Sequence, residues 1–339
     1  MSSTLTLAVG LVASAFVAVN VGGSSMGVAF GPVTGSDAVG YRLAAVLMGL
    51  SVAVGGVALG GRVTETLGEE FVAPSVFTVE AALVVLGVTG VGILVGNYRR
   101  ISVSTSATAV GAVTGLGLAA DALRWGTVAR IGGSWVAAAV VAFWVAAVLG
   151  RYRYERIAAA LRGHPRRARL ALVAGGCAMG AAAGGSNVAN AVGALVGADL
   201  LRMGPATLVG VVGIALGAAV LGPRTLETVG EGITELSVAG ALIVQAVAAT
   251  IITLLNVAAV PASLAITTTM SVVGLGWGRA SRVADGGERD ERGPEETAES
   301  TPAGAALYDP DVTRRIVVTW VATPAVACGL AVAAVVALG

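Results

Sequence analysis

The chain contains no lysine and only one histidine, His164; all 21 of its basic residues are arginine, set against 20 acidic residues. Charged residues make up 12% of the 339 positions, about half the share of a soluble domain. That leaves too little polar surface to hold a chain this long in water. The net charge of +1 provides no basic field for nucleic acid. Cys177 and Cys328 are the only cysteines, and their isolation excludes a disulfide framework or a cysteine metal cluster. No nucleophile–base pair and no GxxxxGK[ST] loop appears, which argues against an enzyme and against ATP as the energy source. What fills the chain instead is 56% hydrophobic residues and 49 glycines, at a mean hydropathy of +0.86. The expected class is an all-α polytopic membrane protein in the cell membrane, with the bilayer as its main partner and no cofactor.

A span needs about 20 predominantly apolar residues. Candidates fall at 4–20, 38–60, 75–96, 101–119 and 132–150, and again at 169–184, 205–222, 237–255, 258–277 and 315–338. The apolar run from Thr4 to Val19 has no charge before it and no cleavage signature, so it reads as a membrane helix, not a secretory signal. Two polar, glycine-rich stretches, 22–36 and 184–198, are too short and too broken to cross simply, and the expectation is a re-entrant or half-helical segment at each. Seven arginines against one glutamate between Arg151 and Arg169 put that connection in the cytoplasm. Counting crossings outward leaves both termini outside. The loop at 120–131, with Arg124 and Arg130, fits this charge bias poorly. The resulting division is a first transmembrane unit 1–150, a basic connection 151–168 and a second unit 169–339. An acidic loop at 280–313 carries seven acidic residues between Asp285 and Glu299 and is expected to be disordered.

The two units repeat. At a shift of 162 residues, Gly22-Gly23-Ser24 falls on Gly184-Gly185-Ser186, and Asp37 falls on Asp199. At the same shift Arg62, Glu65, Thr66, Gly68 and Glu69 fall on Arg224, Glu227, Thr228, Gly230 and Glu231. At a shift of 163, Ser104-Thr105-Ser106 meets Thr267-Thr268-Thr269. Five spans per unit is an odd number, so the units are expected to lie inverted in the membrane. Inverted repeats with broken helices at matching positions mark secondary transporters, whose substrates bind where the repeats meet.

The candidate substrate site is therefore the duplicated polar set: Gly22, Gly23, Ser24 and Ser25; Gly184, Gly185, Ser186, Asn187 and Asn190; Ser104, Thr105 and Ser106; and Thr267, Thr268 and Thr269. If the glycine stretches open half-helices, free N–H groups and positive dipole ends face the site. Added hydroxyls then suit a small oxyanion. The alternative is close helix packing, with hydroxyls bonded to their own helices. Asn187, Asn190 and Glu80 are the candidates for a coupling ion, with no metal expected beyond Na+.

These residues resemble a family. GGSNVANAVG (184–193) is similar to the GANDVANA signature of the inorganic phosphate transporter (PiT) family. SVSTSATAVGAVTGLGL (102–118) and AITTTMSVVGLGWG (265–278) are similar to that family's PVSTTHSIVGAIVGVGL pattern. The resemblance implies phosphate carried with Na+ or H+, and it places the binding segments on the polar set just named. It departs at the acids. The Asn-Asp pair of the signature reads Ser24-Ser25 in the first unit and Ser186-Asn187 in the second; the later asparagine is Val28 and Asn190, and the histidine is Ala107 and Met270. Phosphate is the first expectation and a sulfate-permease-like branch the alternative; a passive anion channel is the reading from another class. A homodimer is the candidate assembly.

Other residues have plainer readings. Arg62/Glu65 and Arg224/Glu227 read as interfacial helix ends, with gating as the alternative. Asp37 and Asp199 read as N-caps. Glu80, near the outer end of its span, is a candidate proton relay. The five tryptophans mostly fall near span ends, as interface belts do.

Overall fold

Two 33-residue helices, α1 (Ser3–Gly35) and α7 (Pro165–Gly197), run through the centre of the bundle. Each is about 50 Å long, well beyond the roughly 30 Å hydrocarbon core. The computed structural model describes residues 3–99, 103–223, 236–284 and 310–338. The other helices are α2 (Tyr41–Glu65), α3 (Val79–Tyr98), α4 (Thr105–Ala119), α5 (Trp125–Tyr152), α6 (Tyr154–Leu161), α8 (Met203–Val220), α9 (Val238–Val257), α10 (Leu264–Ala284) and α11 (Pro310–Leu338). Among the described residues, eight helices are long and apolar enough to cross a membrane. The chain is an all-α polytopic membrane protein. α4, at 15 residues, is apolar but short.

The expectation of re-entrant or half-helical segments at 22–36 and 184–198 is corrected. Both stretches are the uninterrupted second halves of α1 and α7. Glycine inside a helix costs about 1 kcal/mol against alanine, but here it permits helix contacts that alanine would block. A Cβ on Gly184 would lie 2.5 Å from the Val52 carbonyl oxygen, and one on Gly22 would overlap that of Ile214. Gly55 and Gly217 face the Ala181 and Val19 carbonyls in the same way. The gain in backbone contact keeps both helices continuous.

The helix partners follow one pattern. α2 packs along α7, and α1 along α8; α5 packs along α10, and α4 along α11. Likewise α1 lies on α3 and α7 on α9. Gly111 and Gly115 approach the Pro324 and Cys328 carbonyls, while Gly274 and Gly278 approach those of Phe143 and Ala147. Each of these pairings has a counterpart in which the two halves have changed places.

Asp37 and Asp199 are not N-caps. Both follow the ends of α1 and α7 with positive φ, 52° and 53°, a conformation aspartate tolerates better than most residues. The adjacent Ala38 and Leu200 N–H groups close back on the Val33 and Leu195 carbonyls at 3.0 Å, which satisfies the last turn. The N-caps of α2 and α8 are Gly40 and Arg202. Arg130 pairs with Glu70, Arg124 donates to the Glu69 carbonyl at 3.1 Å, and Thr127 to that of Glu70 at 3.0 Å. Both arginines of the loop at 120–131 therefore meet the acidic loop, Arg130 at a carboxylate and Arg124 at a backbone carbonyl. Arg224 and Glu227, and the acidic run from Asp285 to Glu299, lie outside the described residues.

Candidate functional site

The helices that do begin at the centre are α4 and α10. Ser104 caps α4, accepting from the Ala107 N–H at 3.1 Å. Ser263, just before α10, accepts from the Ile266 N–H at 3.2 Å. The Ser104 hydroxyl donates to the Ser263 hydroxyl at 2.9 Å, so the two positive helix ends meet at a pair of serine oxygens. Helix starts leave N–H groups without intrahelical partners and favour anions. The helix starts expected at the glycine stretches are found here instead.

Around this meeting point the structure gathers most of the expected residues. Asn187 donates to the Ser25 hydroxyl at 2.9 Å and accepts from Thr105 at 3.3 Å. Asn190 donates to Ser106 at 3.0 Å, and Ser106 donates to the Ala262 carbonyl at 2.6 Å. Ser186 accepts from the Ala262 N–H at 2.7 Å and donates to Asn256 Oδ1 at 2.5 Å. Ser25, Ser104, Ser106, Ser186, Asn187 and Asn190 are all at most 5% exposed, so the cluster is closed to solvent. Ser25 and Asn187 sit 162 residues apart, which is the repeat distance: two matching positions touch each other.

Others stand aside. Gly22, Gly23, Gly184 and Gly185 serve contact, Gly185 against the Asn256 amide and Gly23 against Leu221. Ser24 is only partly buried. Thr267 bonds back to the Ser263 carbonyl at 2.9 Å, as a plain helical threonine does. Thr268 is 1% exposed with an unpartnered hydroxyl, and Thr269 is half-buried. The pairing of Ser104–Ser106 with Thr267–Thr269 is thereby corrected. Ser104 matches Ser263 as a cap, and Thr108 matches Thr267, since each bonds back to its capping serine's carbonyl at 2.9 Å. The glycines further along keep the 163 shift, so α10 carries one extra turn between cap and glycine. Glu80 is exposed on the first turn of α3 beside its cap Thr78, where a carboxylate favours the helix dipole. No hydrogen bond joins it to the central cluster.

Sequence reasoning missed Asn256, Asn97, Ser263 and Trp135. Asn256 donates to the Ala182 carbonyl at 2.6 Å, and Asn97 to that of Asn20 at 3.0 Å. The two asparagines end α9 and α3 and lie 159 residues apart, the distance that also separates the helix caps Thr78 and Ser237. That second shift was the available signal. The end of α9 and the linker to α10 are tied at alternate carbonyls: Arg62 donates to Val257 at 3.2 Å, Thr66 to Ala259 at 2.8 Å and Trp135 to Pro261 at 2.6 Å. Asn256→Ala removes the bridge between α7 and the end of α9. It is expected to cost about 1–2 kcal/mol, read as a lower melting temperature of the purified protein. An unchanged melting temperature would show that the bridge contributes nothing.

The buried polar side chains among the described residues are serine, threonine, asparagine and glutamine, with no charged group. No cluster of three metal-ligating His, Cys, Asp or Glu side chains occurs among them. The site is thus a neutral shell of donors around two helix starts.

The model of the phosphate transporter family matches residues 21–165 and 152–331. The chain belongs to this family. It is 31% identical over 268 residues to the sulfate permease CysP of Bacillus subtilis (strain 168), an alignment covering 78% of this chain and 76% of that one. A sodium-dependent phosphate transporter of Toxoplasma gondii is 30% identical over 148 residues, 41% of this chain and 17% of its own. A putative phosphate permease of Chlamydia trachomatis serovar D is 33% identical over 138 residues, 37% and 32% of the two chains. Among solved structures, the sodium-dependent phosphate transporter shares the fold, with a TM-score of 0.79 at 19% identity over 98% of this chain and 99% of that one. Family membership makes this chain a membrane transport protein.

Proposed function

We propose that the chain is a secondary transporter of a divalent inorganic oxyanion, working by alternating access about the Ser104–Ser263 centre. The exchanged helix pairings support two repeats, 1–150 and 169–339; an odd number of spans in each and the arginine-rich connection at 151–168 support an inverted topology with that connection cytoplasmic and both termini outside. The closed state of the cluster suits an occluded intermediate.

Sulfate is the substrate that the site's chemistry favours, and one observation carries this: no carboxylate is buried among the described residues. Hydrogen phosphate has a proton to donate, and a carboxylate can accept it. Sulfate has none, and a nearby carboxylate would repel it. Ser25, Thr105, Ser106, Asn187 and Asn190 offer only neutral groups, beside two positive helix ends. The length of the alignment with a sulfate permease agrees. Phosphate is the second reading, supported by the family and by the fold neighbour.

Na+ is the favoured coupling ion. Asn190 Oδ1 is buried without a donor, and Asn187 Oδ1 has only Thr105, so two amide oxygens are open to a hard cation. Glu80 is the proton-coupling alternative. The test is uptake of radiolabelled sulfate and phosphate into proteoliposomes under Na+ or pH gradients. Uphill sulfate uptake, with phosphate competing weakly, is the expected result. Uptake that never runs uphill means a channel, phosphate uptake insensitive to sulfate reverses the substrate order, and no uptake of either anion overturns the reading.

A further inference from the structure

Gln245 differs from the other buried side-chain amides among the described residues. It is 1% exposed, in the middle of α9, and neither its amide oxygen nor its amide nitrogen has a hydrogen-bond partner. Asn20 and Asn190 each leave only an oxygen unpaired, while their nitrogens are bonded. An amide deprived of water and partners is destabilising in a closed protein, and a leucine in its place would avoid that cost. The first half does this: the position matching Gln245 at the 159 shift is Leu86, fully buried in the core.

Space for the amide comes from the facing helix. A Cβ on Gly175 of α7 would overlap the Gln245 amide oxygen, and the residue matching Gly175 at the 162 shift is Ala13. Glycine and glutamine occur together in one half, alanine and leucine in the other. The pair is therefore a feature added to one side of a duplicated scaffold.

Its placement gives the amide a use. Gln245 and Asn256 are eleven residues apart on α9, and Gly175 and Ser186 eleven apart on α7. Eleven residues are three helical turns plus about 20°, so each pair shares a helix face, about 16 Å apart along the axis. Between them on these faces lie Ala248, Ile252, Met179 and Ala182, all buried. α7 begins at Pro165, directly after the arginine-rich connection. Gln245 thus lies between the central cluster and the arginine-rich side of the protein, in the seam between α7 and α9.

We propose that this seam is the path by which the oxyanion leaves the centre, and that Gln245 is a second, transient contact on it. The inference rests on the transport reading above. When α7 and α9 part, the amide N–H groups become the first donors an anion meets after leaving Ser186 and Asn187. A neutral amide suits a way-station, because conduction needs sites strong enough to enter and weak enough to leave. An arginine there would hold a divalent anion, and a leucine would offer it nothing.

The test uses full-length protein in proteoliposomes. Gln245→Leu and Gln245→Met, which keep the volume and remove the donors, are compared with wild type for sulfate and phosphate uptake, for equilibrium sulfate binding in detergent, and for melting temperature. The expected result is an uptake rate at least fivefold lower, with binding affinity within twofold of wild type and a melting temperature equal or higher. That combination separates a transit contact from a packing residue, because a packing role predicts altered stability with unaltered rate. Either variant carrying anion at the wild-type rate while folded overturns the inference alone. Wild-type protein that carries neither anion overturns the transport reading and this inference with it.

Discussion

Asn187→Asp is expected to weaken sulfate recognition by about a thousandfold while weakening phosphate far less. The substitution restores the carboxylate of the family signature at the position where this chain has an amide. Asn187 lies at the buried centre, bonded to Ser25 and Thr105, so a carboxylate there faces the arriving anion. Two unit charges 4 Å apart repel by about 4 kcal/mol at an effective dielectric of 20, and about 1.4 kcal/mol is tenfold in affinity. Hydrogen phosphate recovers much of this loss by donating a charge-assisted hydrogen bond to the new acceptor. Folding should survive, because the Ser25 hydroxyl can donate to the carboxylate in place of accepting from the amide. The measurement is the inhibition constant of each anion against labelled uptake. A sulfate constant unchanged by the substitution would remove Asn187 from the site.

The second large effect is on assembly. Gly55→Ala places a methyl group into the Ala181 carbonyl, where α2 crosses α7. Because the obstruction is backbone, no rotamer change relieves it, and the cost is expected to reach about 3 kcal/mol or more. Gly61 lies on the same helix with nothing within 4 Å of its built Cβ. Gly61→Ala should be neutral or stabilise by up to about 1 kcal/mol, since alanine is the better helix former. Size-exclusion profiles of the two detergent-solubilised variants make the comparison. Equal monodispersity for both would mean that the α2–α7 crossing is not as tight as described.

How much of this was legible in the sequence depended on what each signal was made of. The repeat could be read because arginine, glutamate and aspartate recur at one offset in a chain poor in charge. Ser25 and Asn187 were identified on that basis and do touch. The glycine stretches were misread because composition cannot distinguish a helix that breaks from one that is approached closely; that depends on Ile214, Val52 and Ala181, which are distant in sequence. Asp37 and Asp199 were placed on the wrong side of the turn, since an aspartate between two helices can end one or begin the next. Ser263 and Asn256 were missed because α10 carries an extra turn: the glycines follow one offset and the caps another, and only the first was sought. Gln245 has no counterpart in the other half, so a search built on repetition could not find it.

The serine pair at the centre has one further consequence. A hydroxyl carries one proton and two lone pairs. Ser104 and Ser263 each accept from their own helix, at Ala107 and Ile266, and share one bond between them. One serine gives its proton to the other, which leaves the second serine's proton as the only one free for a guest. Rotating two O–H bonds reverses the donor and moves that free proton to the opposite half of the molecule. The two halves thus trade roles at their point of contact without displacing a heavy atom, and the scaffold can be asymmetric at any instant while remaining symmetric on average.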